Sequence, residues 1–89
     1  MAFWTTPEGR QREAAGECEV VNAHGGLIRL PTQVVPPAHL HLMQMQTRAL
    51  QQVRVVSHEA IRGGVTRLAV ELSHPSKEFW DLPIHYPEN

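Results

Sequence analysis

The apolar positions of this chain fall mainly at every second residue, in short runs separated by glycine or proline. That period is the mark of half-buried strands, whose successive side chains point to opposite faces. The plainest run is 65–73, where Leu68, Val70 and Leu72 share one parity and Arg67, Ala69 and Glu71 the other. It predicts a strand with the first set facing in. His39-Leu40-His41-Leu42-Met43 repeats the pattern, with Leu40 and Leu42 on one face and both histidines on the other. Weaker runs predict strands over 12–21, 27–30 and 49–57, the first of them poorly patterned across 13–16.

The segments between these runs carry breaker residues. Asn22-Ala23-His24-Gly25-Gly26 reads as a tight hairpin turn, because Asn and Gly accept positive φ at low cost. Pro31 ends one strand, and Pro36-Pro37 forces an extended corner. Met43 and Met45 fall out of step with Leu42, so 44–48 reads as a loop. Gly63-Gly64 closes a turn over 58–64. Pro75-Ser76-Lys77-Glu78-Phe79-Trp80 reads as a short capped helical turn, with Ser73 or Ser76 as cap and Phe79-Trp80 plugging one end of the sheet. Residues 82–86 alternate again and predict an edge strand, where Pro83 and Pro87 are tolerated. Residues 1–11, with Pro7, Gly9 and few apolar positions, read as a flexible N-terminal arm before a domain over 12–89. Sequential short strands with hairpin-length links predict an all-β fold, a small antiparallel β-barrel.

Composition narrows the functions. Eighty-nine residues make one domain with one small core. A net charge of −1 argues against broad binding to nucleic acid or to an anionic membrane. No apolar run approaches the roughly 20 residues of a membrane span, and the N-terminus lacks a signal-peptide pattern. Cys18 is the single cysteine, so no intrachain disulfide forms. These features together predict a soluble, cytoplasmic protein. Cys18 itself reads as a small buried hydrophobe, with a reactive thiol as the alternative. His39 and His41 could reach one ion from one strand face, but the spacing supplies no third ligand, and no metal or other cofactor is expected. No nucleophile elbow or placed acid pair is visible, so the chain does not read as an enzyme.

The order of parts resembles the PilZ domain family, β-barrels known for binding cyclic di-GMP. Four features carry the likeness: the bend Asn22-Ala23-His24-Gly25-Gly26 before Leu27-Ile28; Leu40-His41-Leu42 after a proline corner; Arg54-Val55-Val56; and Leu68-Ala69-Val70-Glu71-Leu72 followed by His74-Pro75 and Phe79-Trp80. The likeness covers about residues 17–86. It implies a six-stranded type of barrel, one strand short if the chain starts after the family's first strand. It also implies a signalling module in which Arg10, Arg12, Asn22, His24, Gly25 and Gly26 would contact cyclic di-GMP.

The family's binders carry R-x-x-x-R and then D/N-x-S-x-x-G. This chain offers Arg10-Gln11-Arg12 and a bend one residue short with no serine. Arginine forks match both phosphates and guanine edges, and each bidentate contact is worth roughly 1–3 kcal/mol of discrimination. The N-terminal arm therefore decides the matter more than the bend does. The alternative is a degenerate barrel kept for protein–protein contact or self-association through an open sheet edge. Met43, Met45 and Leu50 form an apolar cluster that reads as core filler or as an adaptable contact surface.

Overall fold

The structure is a computed structural model that describes residues 1–76 and 78–80. The described residues form seven strands: β1 (Ala2–Thr5), β2 (Gln11–Ala14), β3 (Glu17–Val21), β4 (Gly25–Leu30), β5 (His39–Met43), β6 (Leu50–Ile61) and β7 (Val65–Leu72). They make one antiparallel sheet in the order β2-β1-β5-β6-β7-β4-β3. The all-β expectation holds. The closed barrel does not, because no ladder joins the two outer strands, β2 and β3.

The sheet is nevertheless rolled, and chain connectivity requires it. Six strand spacings of about 4.8 Å would put the outer strands of a flat sheet about 29 Å apart. Only Ala15 and Gly16 link β2 to β3, and three Cα steps reach at most about 11 Å. The two edges must therefore meet at that corner. Gly16 fits the crossing because a Cβ there would lie 2.8 Å from Leu30 Cδ2.

One parity of each inner strand fills the roll. Ala2 and Trp4 of β1, Ile28 and Leu30 of β4, Leu40 and Leu42 of β5, Val53 of β6, and Leu68, Val70 and Leu72 of β7 are buried. Phe79 and Trp80 join them with rings 5.1 Å apart and nearly perpendicular, a favoured aromatic geometry. They plug the roll as expected, but residues 78–80 form a turn and not a helix. Phe79 N donates to Ser76 Oγ at 3.2 Å, the bond a helix cap would make. The strand expected over 82–86 lies outside the described residues.

Three further expectations are corrected. The stretch read as a flexible arm over 1–11 supplies β1, whose Ala2 and Trp4 are buried between β2 and β5. The strand expected over 12–21 is two strands on opposite edges. The strand expected over 49–57 runs on to Ile61, and the turn shrinks to 62–64 with Gly63 and Gly64 at φ +88° and +76°.

The single buried polar side chain among the described residues is Thr66. Its hydroxyl donates to Thr32 O at 2.8 Å and accepts from Val34 N at 3.1 Å. That pair of bonds pins the proline-rich 31–38 link to β7 and satisfies the hydroxyl inside the roll.

Candidate functional site

The bend after β3 is built from its own side chain outward. Asn22 Oδ1 accepts from His24 N at 2.8 Å and from Gly25 N at 3.2 Å, an Asx turn. Asn22 N donates to Gly25 O at 2.9 Å and closes the hairpin. Three successive carbonyls of the bend are then taken by the chain's later segment. Asn22 O accepts from Trp80 Nε1 at 2.8 Å, Ala23 O from Ser76 N at 2.7 Å, and His24 O from Leu72 N at 2.7 Å. The bend therefore serves as the anchor of Leu72, Ser76 and Trp80.

The glycines have a different role from the one expected. Neither Gly25 nor Gly26 has positive φ. Both lie in β4, paired with Glu71 and Val70 of β7. A Cβ on Gly25 would overlap the Val70 carbonyl oxygen, and one on Gly26 the Val20 carbonyl oxygen. Close approach of neighbouring strands, and not a left-handed turn, requires glycine at both positions.

The arginines sit elsewhere. Arg10 closes the β1–β2 turn, donating its N–H to Thr6 Oγ1 at 3.1 Å and accepting at its carbonyl from Thr6 N at 2.8 Å. Arg12 pairs with Trp4 across β1–β2, its guanidinium 6.0 Å from the ring centroid, within cation–π range. Arg12 lines a concavity with Phe3, His39, His41 and Gln52. Asn22, His24, Gly25 and Gly26 line a shallower one with Val56 and Glu71. No residue lines both. Beside the bend, Glu71 already holds Arg54, with Nη2 at 2.9 Å and Nε at 3.2 Å. The structure thus gathers the four bend residues and leaves Arg10 and Arg12 on the β1–β2 hairpin.

The convex face carries a lattice of ion pairs. Glu17 accepts from Arg29 at 3.0 Å, Glu19 lies 3.7 Å from Arg29 and 2.7 Å from Arg67, and Arg67 reaches Glu59 at 2.9 Å. Arg29 and Arg67 stand directly opposite on β4 and β7, a placement that repels. The β3–β4 register shifts between Cys18 and Val20, leaving Glu19 as the extra residue. This bulge lets Glu19 serve both arginines. Its hydrogen bond to Arg67 holds the Glu19 carboxyl below the ordinary glutamate range and raises the Arg67 pKa in turn.

A hollow of 370 Å³ opens between the β1–β5 and β3–β4 sides of the roll. Ile28, Leu30, Leu42 and Trp80 form its walls, and Met43 and Met45 its rim. Cys18 also lines it, and the residue is exposed on β3, not buried as expected. Partial shielding of the thiol pushes its pKa up, which disfavours the reactive thiolate. His39 and His41 are exposed, and no group of three or more His, Cys, Asp or Glu that could hold a metal ion occurs among the described residues. No helix among those residues is long and apolar enough to cross a membrane.

Sequence reasoning missed the hollow, and it weighed Trp4 as core filler or contact surface without finding the strand that buries it. Ala2 and Trp4 do share a parity, but a four-residue strand beside Pro7 and Gly9 gives too short a pattern to stand out. Comparison with protein-family models, curated proteins and solved structures finds no match for this chain.

Proposed function

We propose that this chain is a non-catalytic β-domain that pairs with a second copy of itself by strand addition, and that it does not depend on cyclic di-GMP. The observation that carries this reading is that β6 outruns β5. The β5 ladder covers Leu50 to Arg54, and Val55 N still donates to Ala38 O at 2.8 Å. From Val56 to Ile61 no neighbour pairs that edge among the described residues. Residues 56–60 are all exposed. A bare edge of this length is a template for another strand.

The outer strands are poorer templates. β2 has four residues and carries Arg12 and Glu13, and β3 has five with a bulge in their middle, whereas the β6 bulge at Val56 leaves Ser57 to Ile61 regular. Short, charged or bulged edges resist pairing. On the open part of β6 the one full charge, Glu59, is already held by Arg67 at 2.9 Å. A second copy is the simplest source of the added strand, since antiparallel pairing about a two-fold axis covers both open edges at once. The cyclic di-GMP reading of the PilZ resemblance loses support where the bend's carbonyls and glycines serve the fold and its arginines lie apart.

Size-exclusion chromatography with light scattering tests the reading. A concentration-dependent dimer is expected, abolished by Ser57→Pro and weakened by Val56→Lys. A monomer at every concentration overturns it. Calorimetric titration with cyclic di-GMP in the micromolar range is expected to be flat. Saturable heat that disappears in an Arg10→Ala/Arg12→Ala double variant would restore the nucleotide reading.

A further inference from the structure

We propose that the hollow between the β1–β5 and β3–β4 sides is a binding site for a small, mainly apolar molecule. Its place fits that use, because the mouths of β-barrels are recurrent ligand sites and this roll opens where its edges fail to pair. Its size, 370 Å³, admits about a dozen non-hydrogen atoms if each takes roughly the 30 Å³ share of a water in liquid.

The lining sets the chemistry. Ile28, Leu42 and Trp80 present apolar side chains that offer water few partners. Met43 and Met45 at the rim are unbranched and polarizable, suited to closing over varied shapes. The polar groups nearby are largely committed. Gln44 Nε2 donates to Trp80 O at 2.7 Å, and Gln44 Oε1 accepts from Gln46 N at 2.6 Å. Glu17 is paired with Arg29 at 3.0 Å. The amino group of Met1 also lines the hollow and donates to Met43 O at 3.0 Å, and a hydroxyl or amide head could reach the Gln46 side chain.

The test uses the full chain and 1-decanol, with two readouts that report from the hollow itself. Tryptophan fluorescence, read in a Trp4→Phe background so that Trp80 is the one indole, should change saturably. Alkylation of Cys18 by iodoacetamide should slow by about tenfold when decanol stands at ten times its Kd, as expected where the occupied form is protected. Met45→Glu, at an exposed rim position, should weaken both responses while leaving the urea midpoint unchanged. Absence of saturation up to the solubility limit, or saturation with an unchanged Cys18 rate, overturns the proposal. Methyl NOEs from Leu82 or Ile84 to Leu42 in the ligand-free protein would give the hollow to the chain's own C-terminal residues and overturn it equally. None of these outcomes depends on the open edge of β6.

Discussion

The indole Nε1–H of Trp80 donates to the backbone oxygen of Asn22 at 2.8 Å, joining residues 58 positions apart. The backbone carbonyl of Trp80 is held in turn by Gln44 Nε2 at 2.7 Å. One residue thus ties the β3–β4 hairpin, the β5–β6 loop and the plug of the roll together. Trp80→Phe keeps most of the ring and removes the donor, so a loss of about 1 kcal/mol is expected. Trp80→Ala also opens a cavity and is expected to cost about 3–5 kcal/mol. Urea unfolding of both variants measures the difference.

Gly25→Ala separates a structural glycine from a ligand-facing one. The added methyl would overlap the Val70 carbonyl oxygen inside a β4–β7 ladder. Strands must part to admit it, and a loss of about 3 kcal/mol is expected, the upper end of ordinary overpacking. Gly63→Ala meets nothing within 4 Å but sits at φ +88°, so about 1–2 kcal/mol is expected from left-handed strain alone. Thermal or urea unfolding should rank Gly25→Ala below Gly63→Ala. The reverse order would return Gly25 to the list of residues kept for a ligand.

The Glu19–Arg67 pair makes stability depend on acid. Its hydrogen bond lowers the Glu19 pKa from the ordinary 4.5. The folded state therefore holds the Glu19 carboxylate more strongly than the unfolded chain does. That contribution is complete above the unfolded value and is lost as pH falls through the folded one. Glu19→Gln should flatten the fall of Tm on the acid side of pH 4.5 and leave Arg29 opposite Arg67 with no carboxylate between them. Because the pair is on the surface, salt should shrink the difference between variant and parent.

Thr66→Val tests the pin on the 31–38 link. Valine keeps the shape and removes the hydroxyl that serves both Thr32 O and Val34 N. A loss of about 1–3 kcal/mol is expected for stranding these partners beside the core. Hydrogen exchange at Val34 should speed up at the same time, since its amide loses its acceptor.

Strand content was legible wherever one face is buried and the other wet. Leu40, Leu42, Leu68, Val70 and Leu72 announce their burial by period alone, and the structure buries all five. The 12–21 run misled because only Ala15 and Gly16 separate β2 from β3, and which neighbour each strand pairs with is not written in its own residues. The bend misled for a related reason. An Asn and two glycines specify backbone without naming what approaches it, and here the approaching groups are Val70, Leu72, Ser76 and Trp80. Cys18 was misjudged because β3 is an outer strand, and edge or centre is not written in a strand's own residues.

The sequence by itself determined an all-β chain, the inward parity of β5 and β7, and breaks at the Asn22 bend and at Gly63-Gly64, because steric preference and side-chain alternation act between near neighbours. Tertiary structure alone decided that Ala2 and Trp4 enter the core, that β2 and β3 end on opposite edges, and that the bend is spent on the chain's own Leu72, Ser76 and Trp80. Those outcomes rest on contacts between residues far apart in the chain, and local pattern cannot select which distant backbone a free carbonyl or a bare strand edge will meet.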